Sequence, residues 1–137
     1  MSQENVENAE RMFDQLNRGG QEGVSLAFVE KFFDAAVVWE GKDDAPDRGP
    51  FRGRDELLDH IRSWFETLDA FRSEPEEIID AGEKLVVVHH SHGILKGSNA
   101  EVDLRFASVS EVRDGRIVSH KQYRHRAEAL EAVGLAE

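Results

Sequence analysis

Cysteine is absent from the chain, so thiol catalysis, a disulfide framework and a thiolate metal site are all excluded. Long apolar runs are absent as well, because none approaches the roughly 20 residues that a membrane-spanning helix requires. The first ten residues, MSQENVENAE, are polar and acidic. We therefore expect no membrane partner, and a cysteine-free composition is compatible with the reducing cytoplasm, where we expect the protein to reside.

Positive charge is scarce, with 17 Lys and Arg against 28 Asp and Glu and a net charge of -11. Such a chain repels phosphate backbones, so we expect no nucleic acid partner. A length of 137 residues suits one compact domain that can bury a core and enclose a cavity. We accordingly interpret residues 1–137 as a single domain.

Helical spacing of apolar residues predicts three helices in the N-terminal half. The first runs from Val6 to Leu16 and is expected to stop at Arg18, Gly19 and Gly20. The second runs from about Gly23 to Phe33 and is apolar on most sides, which predicts burial. The third follows a glycine- and proline-rich loop at residues 41–53, and its apolar face holds Leu57, Leu58, Ile61, Trp64, Phe65 and Leu68.

The remaining chain changes to an alternating pattern that is typical of strands. After an early strand at residues 36–40, strands are predicted near residues 74–80, 84–95, 100–113 and 116–125, separated by hairpin signals such as Asp114-Gly115. A short C-terminal helix then ends at Gly134, with Leu135 folding back on it. Helices followed by a meander favour the α+β class.

The stretch LVVVHHSH at residues 85–92 places histidines at the end of an apolar strand. Side chains alternate between the two faces of a strand. One row therefore holds Val86, Val88, His90 and His92, and the other holds Leu85, Val87, His89 and Ser91. A row that changes from apolar to polar is typical of a pocket wall, but also of a strand that leaves a core for solvent.

Three segments resemble the nuclear transport factor 2-like superfamily, specifically its SnoaL-like branch. They are Phe51–Leu57 (FRGRDEL), Arg113–Ile117 (RDGRI) and Tyr123–Leu135. The resemblance implies an α+β cone, in which a strongly bent antiparallel sheet wraps around three helices from the N-terminal half, with a short C-terminal helix. It also implies an apolar pocket at the wide end and homodimers that pair through the outer sheet face. Its members include polyketide cyclases, isomerases and modules that only bind.

The resemblance to ketosteroid isomerase implies a site. It places Glu40 at the position of the general base and points Val86, Val88, His90 and His92 inwards, together with His120 and Gln122. The two oxyanion donors of that enzyme fall near Met12 or Phe13 and near Ser108, and both are missing here. We predict Glu40 as base and His90 or His120 as proton donor or carbonyl polariser. The predicted ligand-binding residues are Val38, Trp64, Val88, His92, Phe106, Ser108 and Gln122.

Other readings of the histidines and charged residues remain open. His90 and His92, with His120 and Glu40, are possible metal ligands, but no second metal signature accompanies them, so we predict neither a metal nor a cofactor. His60 is predicted on the surface, and His89 at solvent or at a dimer partner. Trp39 is predicted on the sheet exterior, and Arg105 in a cross-strand ion pair.

The sequence thus predicts a pocket for an apolar small molecule that carries a carbonyl or hydroxyl group. Acid–base catalysis of the isomerase, cyclase, dehydratase or hydrolase type is one interpretation, and a non-catalytic ligand-binding or dimeric interaction module is the other. A homodimer is predicted through the outer sheet face. The residues expected on that face are Leu85, Val87, Val109 and Ile117.

Overall fold

The computed structural model describes residues 2–135, and it describes side chains for all of these except residues 2 and 20–23. Within that range the chain forms α helices and one sheet, which confirms the α+β class. None of the described helices combines the length and the apolar character needed to cross a bilayer. The elements are α1 (Ser2–Gly23), α2 (Leu26–Phe32), β1 (Phe33–Glu40), β2 (Phe51–Arg52), α3 (Gly53–Thr67), β3 (Leu68–Ala81), β4 (Lys84–Leu95), β5 (Glu101–Arg113), β6 (Arg116–Tyr123) and α4 (Arg126–Ala132).

The described strands form one open sheet in the order β2-β1-β6-β5-β4-β3. Strands β3 to β6 form the predicted antiparallel meander, whereas β1 runs parallel to β6, which makes the sheet mixed. The hairpin at Asp114 and Gly115 has positive φ at both residues, as a tight two-residue turn requires. Register shifts interrupt the β3–β4 and β5–β6 ladders. Such irregularities bend strands, and they accompany the curvature of this fold.

The two faces of the sheet are covered differently. The inner face packs against α1, α2 and α3, in a core that includes Leu16, Phe28 and Leu57 from the helices and Val37 from β1. On the outer face, α4 packs Ala129 and Leu130 against Val86 of β4 and Ala107 of β5. Apolar residues are therefore buried on both sides of the sheet.

Helix α1 continues to Gly23, so the predicted stop at Gly19 and Gly20 is wrong. Glycine disfavours a helix by only about 1 kcal/mol relative to alanine, and tertiary contacts override such a preference. Here the Asn17 side chain bonds both the backbone N–H and the carbonyl of Ser73 at 2.9 Å, which ties this part of α1 to β3. Helix α2 begins at Leu26, later than predicted, because the Ser25 side chain caps it by accepting from the N–H of Phe28.

The C-terminal helix ends as the sequence predicts. Gly134 adopts a left-handed conformation with φ of 77°, and its N–H donates to the carbonyl of Glu131. The N–H of Leu135 then reaches back to the carbonyl of Leu130 at 2.8 Å. This pair of bonds is the Schellman motif, which satisfies carbonyls that a helix end leaves free.

Candidate functional site

A cavity of about 270 Å³ lies between the inner face of the sheet, helices α1 and α3, and the loop at residues 41–50. Its wall is mainly apolar, with many aromatic rings, among them Phe13, Phe33, Trp39, Trp64, Phe71 and Phe106. The polar groups on the wall include His60, His89 and His120. Ligand sites are commonly built in this way, from an apolar surface with a few placed polar groups.

On β4 the row that faces the cavity is Leu85, Val87, His89 and Ser91. The expectation that Val88, His90 and His92 point inwards is therefore wrong, as is the expectation that His89 faces solvent. The two rows look alike in the sequence because α4 covers the outer row. Val86 is fully buried under that helix, so apolar character does not distinguish the two faces.

His89 is 5% exposed and is held from several sides. Its Nε2 atom shares a hydrogen bond of 2.7 Å with the Ser108 hydroxyl, and its ring stacks on Phe106 at 4.6 Å between centroids. Burial lowers the pKa of His89 well below its ordinary value, and the charges of His120 and Lys42 lower it further. The Nδ1 atom is buried and has no hydrogen-bond partner among the described residues.

His120 lies on β6 next to the same cavity. Its ring stacks on Trp39, with centroids 4.9 Å apart, and its Nδ1 atom shares a 3.0 Å hydrogen bond with the Ser110 hydroxyl. Burial, assisted by His60, lowers the pKa of His120 to about 3, so the ring is neutral at pH 7. His120 and Gln122 are thus on the cavity wall, where the sequence placed them.

His60 also lines the cavity, although the sequence predicted it on the surface. It is 7% exposed and stacks on Phe51 at 4.0 Å, with Trp39 at 4.7 Å. Burial lowers its pKa, against an opposing effect of Asp47. Its spacing from Leu57 and Trp64 places it on the apolar stripe of α3, and this spacing was the signal that could have located it.

Glu40 does not reach the cavity, so its predicted position inside is wrong. Strand β1 turns Phe33, Val37 and Trp39 into the core, which leaves Glu40 half-buried on the other side, 3.8 Å from the Nζ atom of Lys121. Val38 shares that side, and the predicted exterior position of Trp39 is wrong. Burying the indole gains apolar contact, whereas burying an unpaired carboxylate is costly, so this orientation is the favourable one.

The histidines of the outer row pair with carboxylates. His90 lies 2.8 Å from Asp103 and His92 lies 3.0 Å from Glu74, whose pKa is lowered mainly by that hydrogen bond. His90 and His92 lie on the outer face and His120 lies on the inner face, so these three histidines do not ligate one metal ion together. Across residues 2–135, no group of three or more histidines and carboxylates is arranged to hold a metal ion. The predicted cross-strand ion pair of Arg105 is confirmed by Glu76 at 3.0 Å.

Among the other predicted ligand-binding residues, Trp64, Phe106 and Ser108 lie on the cavity wall. Of the four residues predicted for the outer sheet face, Val109 lies on that face and the other three lie on the inner face. Leu85, Val87 and Ile117 line the cavity, and Val109 packs with the cluster under α4.

Lys42 on the loop at residues 41–50 also lines the cavity, although no pattern in the sequence indicated this position. Its Nζ atom lies 4.4 Å from the centroid of the Phe106 ring. Burial lowers the pKa of Lys42, against the opposing charges of Asp44 and Asp47.

Comparisons with known proteins agree with this architecture. Residues 9–120 match the SnoaL-like domain family, and no curated protein matches the chain. A nuclear transport factor 2-like protein of unknown function from Burkholderia pseudomallei is 22% identical, with 96% of this chain and 98% of that chain covered and a TM-score of 0.71. Bal32a, from a soil-derived mobile gene cassette, is 15% identical over 96% and 97% of the two chains, with a TM-score of 0.77. A Catenulispora acidiphila protein with a ketosteroid isomerase-like fold, solved with trimethylamine, is 14% identical over 90% and 92%, with a TM-score of 0.68.

Proposed function

Because the chain belongs to the SnoaL-like domain family, we propose that its cavity binds an apolar small molecule that carries a carbonyl or hydroxyl group. The observation that carries this proposal is a set of neutral imidazoles in a mainly apolar cavity. A similar fold was solved with the small organic molecule trimethylamine, which is compatible with a small-molecule role.

The protonation state of the imidazoles favours a ligand with a neutral polar group. With the pKa values of His89 and His120 lowered by burial, both rings are uncharged at pH 7 and can donate or accept a hydrogen bond. The unpartnered Nδ1 atom of His89 adds to this argument, since buried polar atoms almost always find a partner. A carbonyl or hydroxyl group supplies the matching acceptor or donor.

The size of the cavity favours a small ligand. Its volume of about 270 Å³ lies just below the range for small-molecule sites, roughly 300–1,000 Å³. An engineered apolar cavity of roughly 150 Å³ holds benzene. A ligand of one ring, or of two fused rings, with a single polar group is therefore the best match to the cavity.

Acid–base turnover of the isomerase, cyclase, dehydratase or hydrolase type is the second candidate function. It has support in His120, which is the one predicted catalytic residue on the cavity wall. A pKa of about 3 makes His120 a poor proton acceptor at neutral pH, because efficient general bases have pKa values near the working pH. In such a reaction its role is to polarise a carbonyl as a neutral hydrogen-bond donor, as neutral imidazoles do elsewhere.

Homodimerisation through the outer sheet face, and residence in the cytoplasm, remain part of the proposal. The outer face carries both signs of charge, for example Arg105 beside Glu76 and Arg72 beside Glu74. A surface with alternating charges is able to pair with its own copy about a two-fold axis. Light scattering at micromolar concentration tests the homodimer, and a strictly monomeric protein would contradict it.

Binding can be measured with the tryptophans of the chain, because the only two, Trp39 and Trp64, both line the cavity. We expect indanone, a fused-ring ketone, to change their fluorescence with saturation. His120→Gln should weaken indanone binding by about tenfold, the equivalent of one hydrogen bond in a cavity. The same substitution should weaken the binding of indane, the matching hydrocarbon, by less than about twofold, since no polar contact to indane is removed.

His90→Gln, on the outer face, is the matched control and should bind indanone like the wild type. If indanone leaves the fluorescence unchanged, or if both histidine variants weaken its binding equally, the proposed site is wrong.

A further inference from the structure

The side chain of Lys42 lies in an unusual environment for a lysine. It is half-buried on the cavity wall, and its Nζ atom lies over the Phe106 ring. Within residues 2–135, this atom makes no hydrogen bond and no salt bridge to a described group. Its contact at close range is the face of the Phe106 ring, which attracts an ammonium ion but offers neither a proton acceptor nor a full opposite charge.

Lys121 lies near the same loop and shows the usual arrangement. Its Nζ atom is 2.5 Å from Asp43, 3.8 Å from Glu40 and 3.3 Å from the carbonyl of Gly41. Those contacts engage the Lys121 amine with two carboxylates and a carbonyl, away from the cavity. The two lysines therefore form a natural pair for comparison, one ion-paired on the outer side of the sheet and one facing the cavity.

The pKa of Lys42 is lowered, so a larger fraction of the amine is uncharged at a given pH than in an exposed lysine. Burial is the largest influence and lowers the pKa of Lys42, whereas the charges of Asp44 and Asp47 act against it. The charge of Lys42 in turn lowers the pKa of His89, which places the amine within electrostatic reach of the imidazoles. Lysines desolvated in this way serve as nucleophiles towards carbonyl groups.

We propose that Lys42 is an amine nucleophile that forms an imine with an aldehyde or ketone bound in the cavity. This inference rests on the proposed function, because it takes the bound molecule to be the carbonyl-bearing one. It narrows the ligand class from carbonyl or hydroxyl compounds to aldehydes and ketones.

The step balances without an oxidant or a reductant. The nitrogen lone pair of Lys42 forms a bond to the carbonyl carbon, and the electrons of the carbon–oxygen π bond move to oxygen. The resulting carbinolamine then loses its oxygen as water while the nitrogen lone pair forms the carbon–nitrogen double bond. The water contains two hydrogens, which balance the two hydrogens that the amine loses. A neutral His120 on the same wall is placed to polarise the carbonyl during the attack.

The test is reductive trapping with naphthaldehyde and sodium cyanoborohydride at pH 7, followed by intact mass measurement and peptide mapping. We expect one adduct per chain, located at Lys42. Lys42→Arg keeps the positive charge but removes the nucleophile, and it should lower trapping at least tenfold. Lys42→Gln provides a second variant, and far-ultraviolet circular dichroism confirms that both are folded. Lys121→Arg is the matched control and should trap like the wild type.

Four outcomes overturn the inference. In the first, adducts fall equally on Lys42 and on the other lysines, Lys31, Lys84, Lys96 and Lys121. In the second, both Lys42 variants trap as fast as the wild type. The third outcome is tryptophan quenching by naphthaldehyde without any trapping at Lys42. In that case the cavity binds the aldehyde non-covalently, so the proposed function stands while the imine fails. In the fourth, naphthaldehyde causes neither quenching nor trapping, which contradicts the proposed function together with the inference.

Discussion

His89 and His90 are neighbours in the chain, yet they lie in opposite environments. His89 is buried on the inner face, where it contacts Ser108 and Phe106 and has its pKa lowered by desolvation. His90 lies on the outer face, 2.8 Å from the exposed carboxylate of Asp103. The alternation of a single strand therefore decides which imidazole is a neutral group in a cavity and which is one member of a solvated pair.

The largest effect that separates the two faces should come from placing a fixed charge on each. His89→Lys buries an ammonium ion beside His120 and Lys42, and should lower the free energy of unfolding by about 3 kcal/mol or more. His90→Lys places the same charge beside Asp103 at the surface, and should change it by less than about 1 kcal/mol. Urea unfolding measures both, and equal losses would contradict the assignment of the faces.

The second effect is a loss of stability at acid pH. The pKa of His120 is lowered from 6.5 to about 3 in the folded chain, so below pH 6.5 the unfolded state binds the extra proton first. The stability that depends on a neutral ring is complete above pH 6.5 and falls as the pH drops towards 3. Between pH 7 and pH 5, His120 alone should lower the free energy of unfolding by about 2 kcal/mol. His89 acts in the same direction, since its pKa is also lowered.

The variant that isolates this contribution is His120→Gln, which cannot take up the proton. Its free energy of unfolding should fall about 2 kcal/mol less than that of the wild type over the same pH range. The free energy of unfolding is obtained from urea titrations at each pH. Parallel curves for the two proteins would show that His120 is not held in a neutral form.

The smallest effect compares two residues of β5. Ser110→Ala removes the hydroxyl that bonds the Nδ1 atom of His120, and should cost about 1 kcal/mol because that nitrogen loses its partner. Arg105→Gln breaks the exposed pair with Glu76 on the outer face and should leave the urea midpoint nearly unchanged. A larger loss for Arg105→Gln than for Ser110→Ala would reverse the comparison.

Local chemistry made much of the fold predictable from the sequence. The third helix, the Asp114-Gly115 hairpin and the Gly134 cap each depend on a spacing or a turn residue that acts within a few positions. The glycines of α1 misled us because the contact that supports the helix beyond Leu16 comes from Ser73, far along the chain.

The site was less predictable, for a physical reason that β1 and β4 share. Alternation sorts residues correctly into two rows, but it does not say which row faces inwards. Val86 is buried under α4 while Val87 lines the cavity, so both rows of β4 are apolar at their start. On β1, the choice between Trp39 and Glu40 depends on which side the helices cover.

The central claim is that His120 is a neutral imidazole on the wall of the cavity. It is tested most directly by the NMR signals of the histidine rings, followed from pH 7 to pH 4 and assigned by comparison with His120→Gln. We predict that the His120 ring keeps the signals of a neutral imidazole down to about pH 4, since its pKa is about 3. A His120 ring that becomes protonated with a midpoint near its ordinary value of 6.5 would contradict the account.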